Sequence, residues 1–297
     1  MRFKILGPLE ILGDDGPAPV SSPRVRALAA VLLLEGRRRV KTEALIDMLW
    51  DTPPPSAPAN LRTYVTALRR VLRRSGPGEG SPLTTLRGSA PGQSSSYLLS
   101  VPPEDVDVTD FQRLAALGAA EMRQGRTGRA VTLLGAALRH WRGAAGEDVS
   151  GSRSLTSRLE ALNEQRMGVR EQFIAARIAC GESGAVVREL RDVVAAHPLR
   201  ERGWQYLVTA LYLTGDVSSA LDAYRQAEAT FRGELGIDIS PELQRLHLAI
   251  LRRDEPLSSV DPTRRADSAF PPQTGAVLDR VRGSLPRTTP GPIGELS

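Results

Sequence analysis

The sequence predicts a mainly α-helical protein with a small β component: a winged helix-turn-helix unit followed by a tetratricopeptide-like all-α repeat domain. Three observations carry this. Apolar residues alternate over the first dozen positions and then change to helical spacing. One helix, near residues 56–74, sets arginine and threonine opposite a leucine seam. Beyond Val106 the pattern is almost purely helical, with Gly181 and Gly215 separated by 34 residues, the tetratricopeptide interval.

Phe3, Ile5, Leu9 and Ile11 fall at alternate positions around Gly7-Pro8, which predicts two short strands joined by a turn, with a third near Pro19-Val20. Val25, Leu28, Ala29, Leu32 and Leu33 then follow helical spacing, with Pro23 suited to the first turn and Gly36 to the end. A second helix begins at Thr42 and turns Leu45, Ile46, Leu49 and Trp50 toward a core, until DTPPPSAPA breaks it. The arginine-rich helix follows. Leu83 to Arg87 and Tyr97 to Val101 read as two strands around the loop GSAPGQSSS. Strands, three helices and a hairpin form the order of a winged helix, in which the third helix enters the major groove and the hairpin reaches the neighbouring backbone.

Within the third helix, Leu61, Val65, Leu68 and Leu72 lie within about 60° of one another at 100° per residue, a buried stripe. Thr63, Thr66, Arg70, Arg73 and Arg74 then face outward, with Arg62 and Arg69 on one shoulder. Guanidinium groups bind phosphates or the O6/N7 edge of guanine, and threonine can bond a base or touch a thymine methyl. A solvated basic face would show the same residues. The charge distribution favours a polyanion partner: residues 1–100 hold 14 Lys and Arg against 8 Asp and Glu, whereas residues 101–297 hold 25 against 26. Arg87 is the phosphate candidate of the wing, and an exposed strand charge accounts for it equally well.

Apolar-periodic segments cover about 109–124, 127–142, 155–180, 184–196, 200–214, 217–235 and 241–253, punctuated by Gly125, Gly181, Gly215 and Gly236. Trp141, Trp204, Tyr206, Tyr212, Phe173 and Phe231 are expected in the core. From Pro256 the chain becomes rich in Pro, Ser, Thr, Gly and Arg, which reads as a linker with a short helix around Ala276 to Arg282. The expected division is therefore 1–105, 106–255 and a tail, 256–297, leading to a further domain in a longer parent.

At 297 residues and 41% hydrophobic composition, real cores and about two domains are expected. The N-terminus does not read as a signal peptide, and no apolar run approaches the roughly 18 residues of a membrane span. A cytoplasmic, reducing setting is expected, with the single cysteine, Cys180, buried in its helix. His140, His197 and His247 lie on separate segments without metal-ligand spacing, and neither a phosphate loop nor a dinucleotide fingerprint occurs. No catalysis, cofactor or metal is expected.

The phrases MRFKILGPLEI, SSPRVRALAAVLLLEGRRRV, EALIDMLW and NLRTYVTALRRVL resemble the OmpR-type winged helix of the Streptomyces antibiotic regulatory protein family. DVDVTDFQRL, HPLRERGW, ALDAYRQA and ELGIDISPELQRLHLAIL resemble that family's bacterial transcriptional activation domain, so the resemblance spans about residues 1–255. It implies a transcriptional activator that binds direct repeats in double-stranded promoter DNA, two protomers head to tail, and recruits RNA polymerase holoenzyme. It also implies a nucleoid-associated protein of antibiotic or secondary-metabolite biosynthesis. A repressor built from the same modules, or a helical-repeat scaffold, remains the alternative. Leu61, Val65, Leu68, Arg69 and Arg70 match the family's recognition helix, and Ala67 stands where relatives often carry arginine. The loop that touches polymerase in related regulators corresponds to Asp51 to Ala59, which makes Asp51, Pro53, Pro54 and Pro55 its contact residues by resemblance.

Overall fold

The computed structural model describes residues 1–75, 81–87 and 94–253. The tail expected from residue 256, its short helix, and most of the loop GSAPGQSSS lie outside the described residues.

Strands β1 (Arg2–Lys4), β2 (Glu10–Gly13) and β3 (Gly16–Ala18) form an antiparallel sheet in that order. The third strand therefore precedes Pro19-Val20, because the turn at Asp14 and Asp15 pairs Gly13 with Gly16. Helix α1 (Pro23–Glu35) starts with Pro23 in its first turn and ends at Gly36, whose φ of 62° only glycine adopts freely. Strand β4 (Val40–Lys41) leads directly into α2 (Thr42–Leu49). Helix α3 (Ala57–Ser75) follows, and then the hairpin strands β5 (Leu83–Leu86) and β6 (Ser96–Leu99). The second sheet has the order β4-β6-β5, so the wing is tied to the start of α2 through Val40 opposite Tyr97.

After a 3-10 turn at Pro103–Asp105 come α4 (Asp107–Arg123), α5 (Thr127–Leu138), α6 (Arg153–Ala179), α7 (Ser183–Ala196), α8 (Glu201–Leu213), α9 (Val217–Leu235) and α10 (Pro241–Arg252). The internal similarity has a local cause. Gly125, Gly181 and Gly215 all adopt positive φ, 71°, 84° and 84°. After each, the next residue's amide reaches back five positions, from Arg126 to Glu121, Glu182 to Arg177 and Asp216 to Leu211. These are Schellman turns, which stop one helix and reverse the chain into the next. Close packing depends on small residues elsewhere: a methyl group added at Gly118 of α4 would sit 2.6 Å from Leu134 Cγ of α5.

The wider spacing from Gly125 to Gly181 has two sources. Helix α6 is 27 residues long, and the expected helix to residue 142 stops at Leu138, followed by an irregular connector over residues 139–152. Cys180 is exposed, contrary to the buried thiol expected of it, because α6 ends at Ala179 and Cys180 is its C-cap. Trp141, Trp204, Tyr206 and Phe231 are buried as expected, and Phe173 and Tyr212 pack partly buried against the cores.

Two hydrophobic cores result. One runs from Phe3 to Ala176 and joins the winged helix to α4, α5 and α6; the other runs from Ile174 to Ile250. The first core thus crosses position 105 without a break. Phe3 makes a parallel bridge to Val106, and the buried Asp107 carboxylate accepts the Ile5 amide on both oxygens at 2.9 Å and the Leu6 amide at 3.0 Å. The connector completes the join: Arg142 N donates to Leu6 O and Gly146 N to Ile5 O, each at 2.8 Å. Gly7, with φ 140°, permits this approach, since its missing Cβ would lie 3.0 Å from Arg142 Cβ. Asp148 accepts from Leu9 N at 2.8 Å and pairs with Arg26 at 2.9 Å.

Burial pushes the Asp107 carboxyl above the ordinary 3.8, outweighing the Leu6, Ile5 and Val108 amides and the nearby Arg142 guanidinium, which pull it down. The protonated form still accepts through its carbonyl oxygen, while the ionised form carries the burial cost. The folded state therefore holds this proton more tightly than the unfolded state, and the group's contribution to stability falls as pH rises from 3.8 through the raised value. Asp107→Ala is expected to destabilise the chain by about 2–4 kcal/mol, because it leaves two buried amides without an acceptor. Asp107→Asn should flatten the pH dependence of the urea midpoint in that acidic interval; an unchanged slope would show that Asp107 does not set it.

Candidate nucleic-acid interface

Helix α3 carries no acidic residue, and its seam is fully internal: Leu61, Val65, Leu68 and Leu72 are each at most 2% exposed. The seam packs on α1, α2 and the first sheet, so the opposite face is fixed in direction by the core. Arg62, Thr63, Thr66, Arg70, Arg73 and Arg74 are exposed on it. Among the described residues, none of the four guanidinium groups there has a carboxylate partner, whereas Arg26, Arg142 and Arg158 are all engaged in ion pairs.

The threonines are partly committed. Thr66 Oγ1 donates to Arg62 O at 2.9 Å and Thr63 Oγ1 to Ala59 O at 3.3 Å, bonds to the preceding turn that leave a methyl group and acceptor lone pairs facing out. Arg69 differs from its neighbours. It is half-buried, with Nε donating to Leu83 O at 3.0 Å and Nη2 to Thr85 Oγ1 at 2.7 Å. Arg87 is exposed at the end of β5. At the base of the wing, Thr42 N and Oγ1 both donate to Ser95 O, at 3.0 and 2.7 Å. The Ser94 hydroxyl donates to Glu43 and holds that exposed carboxylate below its usual range.

The loop between α2 and α3 is anchored from the helical side. Asp51 Oδ1 accepts from Arg153 N at 2.8 Å, at the first turn of α6, where a carboxylate meets the positive end of the helix dipole. Next to it, Ser152 Oγ donates to Met48 O at 2.9 Å and accepts from Leu155 N at 3.4 Å, so one hydroxyl closes the end of α2 and caps α6. Pro53 and Pro55 are exposed and Pro54 is half-buried. Sequence reasoning missed this anchoring, since no local pattern links Asp51 to residue 153. Trp50, expected to face a core, stacks on Tyr64 of α3 at 6.0 Å under the Arg24 guanidinium, a contact the sequence did not announce, and Arg37, Arg38 and Arg39 form a further exposed basic run.

Residues 106–251 match the family model described as bacterial transcriptional activator domain. Transcriptional regulatory protein EmbR of Mycobacterium tuberculosis is 37% identical over 260 residues, 87% of this chain and 65% of EmbR. The chain thus spans slightly less than two thirds of that relative. Regulatory protein DnrI of Streptomyces peucetius is 32% identical over 256 residues, 86% of this chain and 93% of DnrI. The solved structure of Mycobacterium tuberculosis EmbR in complex with a low affinity phosphopeptide superposes with a TM-score of 0.80 at 34% identity, covering 88% of this chain and 68% of that one. These relatives are regulators rather than enzymes, and the near-complete overlap with DnrI, together with the winged-helix and helical-repeat architecture, shows that this chain belongs to the Streptomyces antibiotic regulatory protein family of transcriptional regulators.

Proposed function

We propose that the chain is a sequence-specific, double-stranded-DNA-binding activator in which α3 enters the major groove and the wing lies on the flanking backbone. The observation that carries this reading is the face of α3: four guanidinium groups without carboxylate partners among the described residues and two threonine methyls, held outward by a buried leucine seam. Arg62, Thr63, Thr66 and Arg70 are assigned to the groove, and Arg73, Arg74 and the wing's Arg87 to phosphates. Residues 1–105 supply the DNA contacts and residues 106–255 supply contacts between two protomers bound head to tail on direct repeats. The transcriptional output is activation by recruitment of RNA polymerase holoenzyme, through the Pro53 to Pro55 segment next to the recognition helix, with Pro53 and Pro55 exposed. Proline stiffness lowers the ordering entropy lost when such a segment docks. The genes served are those of antibiotic or secondary-metabolite biosynthesis, as the family's name suggests, and the protein acts in the cytoplasm at the nucleoid.

Footprinting across the chain's own genomic neighbourhood identifies the operator on which the following effects are read. Arg70→Ala and Thr66→Ala should each cost about 1–3 kcal/mol of specific affinity and relax one operator position. Arg73→Ala should weaken all sequences alike and lower the slope of log affinity against log salt by about 1. Unchanged affinity and preference in all three variants would remove α3 from the groove.

The loop is tested with Asp51 retained, because its carboxylate serves α6. Replacing Pro53 to Pro55 by glycine and serine should reduce in vitro transcription while operator affinity stays near wild type. A parallel fall in both would make the loop a support for α3, and repression of the bound promoter by the unmodified protein would overturn the activator reading.

A further inference from the structure

Arg69 lies in the same arginine pair as Arg70, yet the two face different partners. The Arg70 side chain is exposed, whereas the edge of the Arg69 guanidinium formed by Nε and Nη2 is spent on β5: the Leu83 carbonyl at 3.0 Å and the Thr85 hydroxyl at 2.7 Å. Leu83 and Thr85 are alternate residues of one strand, so a planar fork spans their spacing and fixes the strand in two places. Leu68, immediately before Arg69 on α3, is buried at 1% exposure, and Leu83 itself at 2%, so both ends of this link rest on the core. Strand β5 pairs with β6 over four residue pairs, and β6 in turn pairs with β4.

We propose that Arg69 is a positioning residue: a strut between the recognition helix and the wing that sets the distance and angle between the surface read by α3 and the surface touched by the wing. Its consequence for DNA rests on the DNA-binding reading above; the strut itself does not. An element that reads two adjacent stretches of a duplex gains specificity only if the two contacts keep a fixed spacing, and a guanidinium with two directed bonds holds spacing better than an ammonium with one. Lysine at this position could satisfy the carbonyl or the hydroxyl, and not both along one rigid edge.

The test compares Arg69→Ala, Arg69→Lys and Thr85→Val in the full chain by amide hydrogen exchange without DNA, then by footprinting on the operator. Loss of two charge-assisted bonds should speed exchange across Leu83–Leu86 and Ser96–Leu99 by about tenfold or more, with the core of α3 unaffected. Arg69→Lys should recover only part of this. In the double variant Arg69→Ala/Thr85→Val, the effect of removing Arg69 should be smaller than in wild type. On DNA, Arg69→Ala should lose protection on the wing side while keeping the base preferences assigned to Arg70 and Thr66. Weaker binding with wing exchange unchanged would make Arg69 a direct DNA contact and overturn the strut, as would full rescue by lysine. If wild-type protein footprints no DNA while the exchange effect appears, the DNA-binding reading fails and the strut stands.

Discussion

The carboxylate of Asp107 is the constraint on which the rest of the fold depends. It sits at the start of α4, almost fully buried, and takes the amides of Ile5 and Leu6 at the end of the first strand. Ile5 and Leu6 are fully buried, so without an acceptor their amides would carry the cost of unsatisfied donors wherever the N-terminal sheet meets α4. The connector over residues 139–152 then returns to the same place, with Arg142 and Gly146 taking the carbonyls of Leu6 and Ile5. Both polar sides of one short segment are thereby satisfied by residues more than a hundred positions away. The winged helix is consequently completed by the first helices of the repeat domain instead of being tethered to them.

From this join the direction of every surface follows. The first sheet and α1 fix the seam of α3, so the arginine face points away from the core. Asp51 and Ser152 fix the end of α2 and the start of the loop after it to the first turn of α6. The repeat domain beyond Ile174 has its own core and its own recurring Schellman turns, so it extends from the join as a separately packed stack sharing only α6.

Much of this was legible in the sequence because it is local. The leucine seam of α3, the glycine-closed helix turns and the alternation of the first strands all arise from residues a few positions apart. The glycine interval found the repeats because the same turn geometry needs the same residue type each time. What was not legible depends on pairing across long separations. Nothing near Asp107 announces that it accepts the amides of Ile5 and Leu6, and the stretch to residue 142 keeps helical spacing although the helix stops at Leu138 and Arg142 packs against Gly7. Arg69 and Arg70 read alike as neighbours in a basic helix, yet a 100° step between them sends one to the wing and the other to solvent. The exposed Cys180 shows the same limit at a helix end, where periodicity continues on paper for one residue after the helix has stopped.

The shared core makes residues 1–105 and α4 to α6 one cooperative body. Native-state amide hydrogen exchange tests it most directly, with Val65 and Leu68 reporting on α3, Ile5 and Leu6 on the join, and Phe111 and Leu134 on α4 and α5. One shared opening free energy is expected for all six amides, lowered together by Asp107→Ala. Separate opening free energies on the two sides of position 105, or an effect of the substitution confined to Ile5 and Leu6, would contradict it.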